Sequence, residues 1–156
     1  MEIIYIQTPL GIAKIAGDGA GIAVISILSE GEISKKIPKK LQECVSQLRE
    51  YFDGNRNDFT FKLNPQGTDF QQRVWVELLN IPFGKTMSYL DLSKKLGDVK
   101  AIRVVASANG RNPLWIAVPC HRVIGTDGSL TGYAGGLWRK KWLLEHESPS
   151  KQQSLF

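Results

Sequence analysis

Apolar and polar positions alternate over residues 2–7 and again over 11–16, the period of a half-buried strand, with Pro9-Leu10-Gly11 as the turn between them. A glycine-rich turn, Gly17 to Gly21, leads into a third apolar run, Ile22 to Leu28. These three runs predict a small antiparallel sheet. After Pro38 the period changes. Leu41, Cys44, Val45, Leu48, Tyr51 and Phe52 fall on one stripe of a helix, which Asp53-Gly54-Asn55 should end. Phe59-Thr60-Phe61-Lys62-Leu63 alternates again and predicts a fourth strand. Asn64-Pro65-Gln66-Gly67 is rich in breakers and is expected to divide the chain.

Beyond residue 66 the pattern is mostly helical. Thr68 or Asp69 can cap a helix carrying Phe70, Val74, Trp75, Leu78 and Leu79, stopped before Pro82. Ser88 can cap a second helix ending near Leu96-Gly97, and Asp98 a third running to Gly110. Two helices joined by a short glycine-containing turn have helix-turn-helix spacing, which many other bundles share. A last helix, Leu137 to Glu147, carries Leu and Trp on nearly all sides and is expected to be largely buried. The class predicted is α+β: an N-terminal sheet with one helix over 1–65, a helical domain over 66–147, and a flexible tail over 148–156.

Composition narrows the function. A charged leader with an apolar core and cleavage site is not apparent, and the run from Ile22 to Leu28 is too short to span a bilayer, so a cytoplasmic, non-membrane protein is expected. Two cysteines without a CxxC argue against a disulfide framework, and two cysteines with two histidines against a four-ligand zinc site. Residues 1–65 hold eight Lys/Arg and eight Asp/Glu, whereas 66–156 hold twelve and seven. The whole excess of +5 therefore lies in the second half, which suggests a polyanion as its partner.

The third helix fits that partner in an unusual way. Its inward stripe should be Ile102, Val105, Ala106 and Asn109. Its outward stripe is Arg103, Ser107 and Gly110, with Lys100 one turn before and Arg111 just after. A helix read in the major groove carries several long polar side chains. This one is slim and projects one Arg, which fits close approach to a minor groove with Arg103 as a wedge. The competing reading is a small-residue face packed on the other domain, with Arg103 in a salt bridge.

Pro119-Cys120-His121-Arg122-Val123 puts a nucleophile and a base side by side within an apolar stretch. A free thiol has a pKa of about 8.5 and needs a base or a positive environment to react at neutral pH. Neighbours on an extended segment point to opposite sides, so a direct Cys-His pair is awkward and a relay through a water, or a bend, is easier. The imidazole needs an acceptor on its far nitrogen. Glu145, Glu147, Asp127 and Asp91 are candidates, and periodicity does not separate Glu145 from Glu147.

Residues 70–147 resemble the methylated-DNA-protein-cysteine S-methyltransferases, the O6-alkylguanine-DNA alkyltransferases. The resemblance rests on Phe70-Gln71 with Val74-Trp75, Ile81-Pro82-Phe83-Gly84, Ser88-Tyr89 and Ala101-Ile102-Arg103. It continues through Ala108-Asn109-Gly110-Arg111-Asn112-Pro113, Ile116 to Ile124 around Cys120, and Thr131 to Gly136. It ends on Arg139-Lys140-Lys141-Trp142-Leu143-Leu144 and His146-Glu147. The resemblance implies a ribonuclease H-like N-terminal domain and a winged helix-turn-helix-like C-terminal domain, acting as a monomer on double-stranded DNA with alkylated bases.

It also implies a reaction. The alkyl group of O6-alkylguanine, or less well of O4-alkylthymine, would pass irreversibly to Cys120 in a single turnover. His121 would be the base and Glu147 its orienting partner; Asn112 would brace the segment before the cysteine. Tyr89 would protonate the leaving base, and Arg103 would fill the gap left by the flipped nucleotide. Ser88, Tyr89, Lys100, Ala106, Ser107, Gly110 and Arg111 would contact DNA. Val123, Tyr133, Ala134, Gly135 and Asn109 would form the substrate pocket, which Gly135 should leave open enough for benzyl. No cofactor is called for, since DNA is the donor, and no metal, since Cys44 sits on the core stripe. His146 reads as a surface or capping residue. Gln152, Ser154, Leu155 and Phe156 match the peptide by which bacterial repair proteins bind the sliding clamp, with Gln153 departing from it.

The alternatives are a cysteine hydrolase or thiol transferase on small molecules, which would turn over and take its Cys and His from separate segments, and a module that binds alkylated bases without an acceptor cysteine.

Overall fold

A computed structural model describes residues 1–148; the clamp-like peptide and the rest of the tail lie outside them. Two compact units form. One holds Met1–Gln66 together with Pro113–Ala117, and the other holds Gly67–Asn112 with the chain from Val118 onward.

In the first unit β1 (Glu2–Thr8), β2 (Gly11–Asp18) and β3 (Gly21–Leu28) make an antiparallel sheet in the order β1-β2-β3. Ile4, Ile6, Ile15 and Ile25 are among its buried residues, so the alternation read from sequence sorts one face inward. The register shifts between Ala16 and Gly17, where a side chain on Gly17 would lie 2.8 Å from the Gly21 carbonyl. Helix α1 (Lys39–Phe52) buries Leu41, Cys44, Val45, Leu48 and Tyr51, as its stripe predicts.

The expected strand at Phe59–Leu63 does not form. Only Leu63 makes a bridge, parallel to Ile22. Gln47 of α1 is the reason. Its amide is buried; Oε1 accepts the Thr60 N–H at 2.9 Å, and Nε2 donates to Thr60 Oγ1 at 2.7 Å. The backbone donor that a ladder would need is thereby taken, and the rings of Phe59 and Phe61 join Tyr51 in an aromatic cluster. The free edge of β3 is instead shared by two distant segments. Ile22 exchanges hydrogen bonds with Lys62 and Asn64, and Ile25 with Pro113 and Trp115.

In the second unit α2 (Asp69–Leu78) begins with a capping box: Thr68 Oγ1 accepts the Gln71 N–H, and the Gln71 side chain accepts the Thr68 N–H. Such a cap contributes about 1 kcal/mol. Next comes β4 (Met87–Ser88), then α3 (Tyr89–Lys95), capped by Ser88. Asp98 caps a 3-10 turn that runs into α4 (Ile102–Gly110). The pair α3 and α4 is the helix-turn-helix. A two-residue strand β5 (Val123–Ile124) pairs parallel with β4, and α5 (Leu137–Glu147) closes the unit.

Two expectations about these helices are corrected. The inward face of α4 is Val105, Ala108 and Asn109; Ala106 and Ile102 are only partly covered. Trp75 sets this phase, because its buried indole donates Nε1 to the Ala108 carbonyl at 2.9 Å and needs a small residue there. Nor is α5 largely buried through its apolar residues. Leu137 and Trp138 are exposed, while Arg139, Lys140, Leu143 and Glu147 are buried.

Candidate active site

The segment leading to Cys120 is bent twice. Ile116 is the one described non-glycine residue at positive φ (70°), and the Ala117 N–H donates to the Trp115 carbonyl across it. This is a γ-turn of the rarer, strained hand, at a β-branched residue that disfavours it. At Pro119 (φ −80°, ψ 63°) the Cys120 N–H donates to the Val118 carbonyl, a γ-turn of the commoner hand. Asn112 donates Nδ2 to the Val118 carbonyl at 2.7 Å and holds the stretch between the bends. Cys120–Arg122 then form a single 3-10 turn. The extended geometry considered from sequence is thus replaced by a bend, and the thiol and imidazole still do not pair directly.

His121 is fully buried, with Nε2 2.8 Å from Glu147 Oε2. Arg122 straddles the same carboxylate, with Nε 2.7 Å from Oε1 and Nη2 3.0 Å from Oε2, and its Nη1 donates to the Ile81 carbonyl. Burial would raise the Glu147 carboxyl, but the hydrogen bonds and charges of His121 and Arg122 outweigh it and bring the pKa down to about 2. Burial also pushes the His121 pKa below its usual value, helped by the Arg122 and Lys140 charges and opposed by Glu147. The imidazole is therefore neutral at pH 7. Because a carboxylate only accepts, Nε2 carries the hydrogen and Nδ1 keeps the lone pair. Nδ1 is buried with no partner among the described residues. Of the four acids considered, Glu147 makes this contact; Glu145 is exposed beside Lys141, and Asp91 and Asp127 are exposed elsewhere.

Burial raises the Cys120 thiol above its ordinary pKa, while Asn112, the Lys140 charge and Tyr133 pull it back. Sequence reasoning missed Lys140. Its ammonium is buried, donates to the Thr131 carbonyl at 2.9 Å, and lies 5.7 and 5.9 Å from the ring centres of Tyr89 and Tyr133. Arg122, as the clamp on Glu147, was missed too. One signal for Lys140 was available: Lys140, Leu143 and Glu147 share one helical stripe, so two charges lie in phase with a core leucine. Burial also raises the Tyr89 hydroxyl, which keeps it a neutral donor.

An open cleft of about 610 Å³ lies nearby, lined by Tyr89, Ile102, Arg103, Ala106, Gly110 and the loop over 131–134. Arg103 is exposed on it, with no ion pair among the described residues. Lys100, Ser107 and Arg111 are exposed, and Ser88 is half-buried as the α3 cap. Tyr133 and Ala134 line the cleft, Asn109 and Val123 are buried, and Gly135 is half-buried. Asn109 and the Val123 N–H both donate to the Cys120 carbonyl. His146 stacks on Trp142. Among the described residues no cluster of His, Cys, Asp and Glu is suited to a metal ion, and no helix is long and apolar enough to cross a membrane.

Comparison with known families matches both halves of the chain. Residues 1–65 match the ribonuclease-like domain of 6-O-methylguanine DNA methyltransferase, and residues 69–149 match its DNA binding domain. The chain belongs to this family. A methylated-DNA-protein-cysteine methyltransferase of Methanosarcina barkeri is 43% identical over 149 residues, covering 91% of this chain and 94% of that protein. The Mycobacterium tuberculosis H37Rv protein of the same description is 44% identical over 147 residues, with 91% and 89% covered. The crystal structure of Mycobacterium tuberculosis OGT in complex with DNA superposes with a TM-score of 0.85 at 43% identity, over 95% of both chains. The reaction is that of the family: DNA repair by transfer of an alkyl group from methylated DNA to a cysteine of the protein itself.

Proposed function

We propose that Cys120 is the acceptor and that the cleft receives an O6-alkylguanine flipped out of duplex DNA. The observation that carries the assignment is the 2.8 Å contact between His121 Nε2 and Glu147, which leaves Nδ1 as the open, basic nitrogen beside a buried thiol. His121 takes the thiol proton through a water. The sulfur attacks the alkyl carbon in line; the S–C bond forms as the C–O6 bond breaks. The guanine leaves with the bonding pair, and Tyr89 donates a proton to it. The thiol loses one proton and the base gains one, so the balance closes on a thioether that nothing in the site can reverse.

Flipping the base costs roughly a few kcal/mol, and Arg103 offsets part of this by filling the gap. Lys100, Ser107 and Arg111 hold the flanking phosphates, and Lys140 supports the developing thiolate. O4-alkylthymine is the poorer substrate. Intact mass after incubation with methylated DNA tests the assignment: one methyl should appear on the peptide containing Cys120. Turnover beyond one equivalent, or a gain that persists in Cys120→Ala, would sink it. Gly135 leaves room for benzyl, so free O6-benzylguanine at micromolar concentration should inactivate the protein; full resistance argues otherwise. The protein acts as a cytoplasmic monomer. Gln152, Ser154, Leu155 and Phe156 dock on a sliding clamp, to be checked by pull-down with and without the last five residues; equal recovery ends that idea.

A further inference from the structure

We infer that Arg139 is a specificity-determining positioning residue: with Trp138 it fixes the wall of the alkyl pocket through the Gly135 carbonyl. The inference rests on the reading of the cleft as the site for the flipped base.

The wall is the loop from Thr131 to Gly135, whose first four residues line the cleft. It has little regular structure of its own, yet it is tied at both ends to one helix. At its start Lys140 Nζ donates to the Thr131 carbonyl at 2.9 Å. At its end Arg139 Nη1 donates to the Gly135 carbonyl at 2.8 Å. Consecutive buried cations at the start of α5 thus hold carbonyls four residues apart.

Arg139 is 8% exposed although it follows the exposed Trp138. Its guanidinium lies over the Trp138 ring, 4.5 Å from the centroid. An exposed tryptophan that leaves the core and covers an arginine gives up apolar burial to shield a charge and aim its donors. Trp138 also sits against Gly136, where a side chain would come within 3.4 Å of the ring. The stack therefore constrains the loop at two consecutive residues.

A fixed wall matters in proportion to what leans on it. A methyl group needs only its carbon in line with the sulfur. A benzyl group draws binding and orientation from the wall along its ring, and loses both when the wall wanders. Loosening one tie should therefore lower benzyl transfer more than methyl transfer.

The test compares wild type, Arg139→Met and Trp138→Ala for the rate of methyl transfer from methylated duplex DNA and of benzyl transfer from free O6-benzylguanine, each read as mass gain on the Cys120 peptide. Arg139→Met keeps the apolar stem and loses the donors. Its benzyl-to-methyl rate ratio should fall about tenfold. Trp138 is exposed, so Trp138→Ala spares the core, and the ratio should fall about threefold. Partial unfolding would scale both rates together and leave the ratio alone. An unchanged or increased ratio in either variant overturns the inference. Failure of the underlying site assignment looks different: wild type itself would gain no mass at Cys120.

Discussion

Two buried thiols, one in each unit, show how little burial says about reactivity. Cys44 is 1% exposed on the apolar stripe of α1, and Cys120 is 7% exposed in its turn. Burial raises the pKa of both. Around Cys44 the only charge that acts is Glu43, which raises it further, to about 12. Around Cys120 every neighbour works the other way: an amide, a buried ammonium and a tyrosine favour the anion, and a neutral imidazole is next in sequence. Desolvation keeps both sulfurs protonated at rest, but only around the second do neighbouring groups favour the anion.

The comparison breaks first on the sulfurs themselves. With methylated DNA, Cys44→Ala should still take one methyl per chain, whereas Cys120→Ala should take none; intact mass reads both. The next effect tests whether the proton path matters. Glu147→Gln should slow methyl transfer about 100-fold, because His121 loses the partner that fixes its tautomer. It should also cost about 3–5 kcal/mol, because Arg122 keeps its charge with no buried counterion. Single-turnover rates and urea unfolding separate the two effects.

Stability against pH should have an acid and an alkaline arm. The folded pKa of Glu147 lies below its unfolded value, so its contribution is present above about 4.5 and is lost as pH falls toward 2. A shift from 4.5 to about 2 amounts to on the order of 3 kcal/mol. His121 is also lowered, so its share begins to fade below the usual histidine value of about 6.5. The acid arm thus belongs to the second unit. Cys44 has the opposite sign: its folded pKa is raised, so stability is intact below about 9 and declines as pH climbs toward 12. Thermal melts should fall on both sides; the raised Cys120 thiol adds to the alkaline arm, so Cys44→Ala should flatten that side in part and leave the acid side unchanged. The smallest effect is Gln47→Ala, which releases Thr60 and should cost about 1–3 kcal/mol. Methyl transfer by the folded protein should be unchanged; a slower rate would mean that the two units are not separable in this way.

Much of this was legible in the sequence where one local rule decides the outcome. Thr68 and Ser88 cap the helices assigned to them, Asp98 caps only the 3-10 turn before α4, and the apolar runs within the first 28 residues give the sheet. Legibility failed where a distant group overrode the local pattern. Phe59–Leu63 has the composition of a strand, but Gln47, more than ten residues earlier, takes its donor. The Leu and Trp residues of α5 predicted burial, yet Arg139 and Lys140 are inside because backbone carbonyls and ring faces receive their charge. Hydrophobic periodicity cannot register a cation made tolerable by its partners. The Cys-His pair within Pro119–Val123 stood out in the sequence, but the place of Arg122 on Glu147 needed the fold.

The free edge of β3 carries a consequence of another kind. The segment that completes it, Pro113 to Trp115, is made some fifty residues after the companion segment at Lys62–Asn64, and it ends five residues before Cys120. During synthesis the sheet emerges first and waits with half its edge unpaired. The second unit, interrupted by that segment, closes only after the chain has returned to the sheet. A protein consumed at every repair event must be made anew each time. Cys120 and His121 precede α5 in the chain, so the groups around them are complete only once Lys140 and Glu147 have been made.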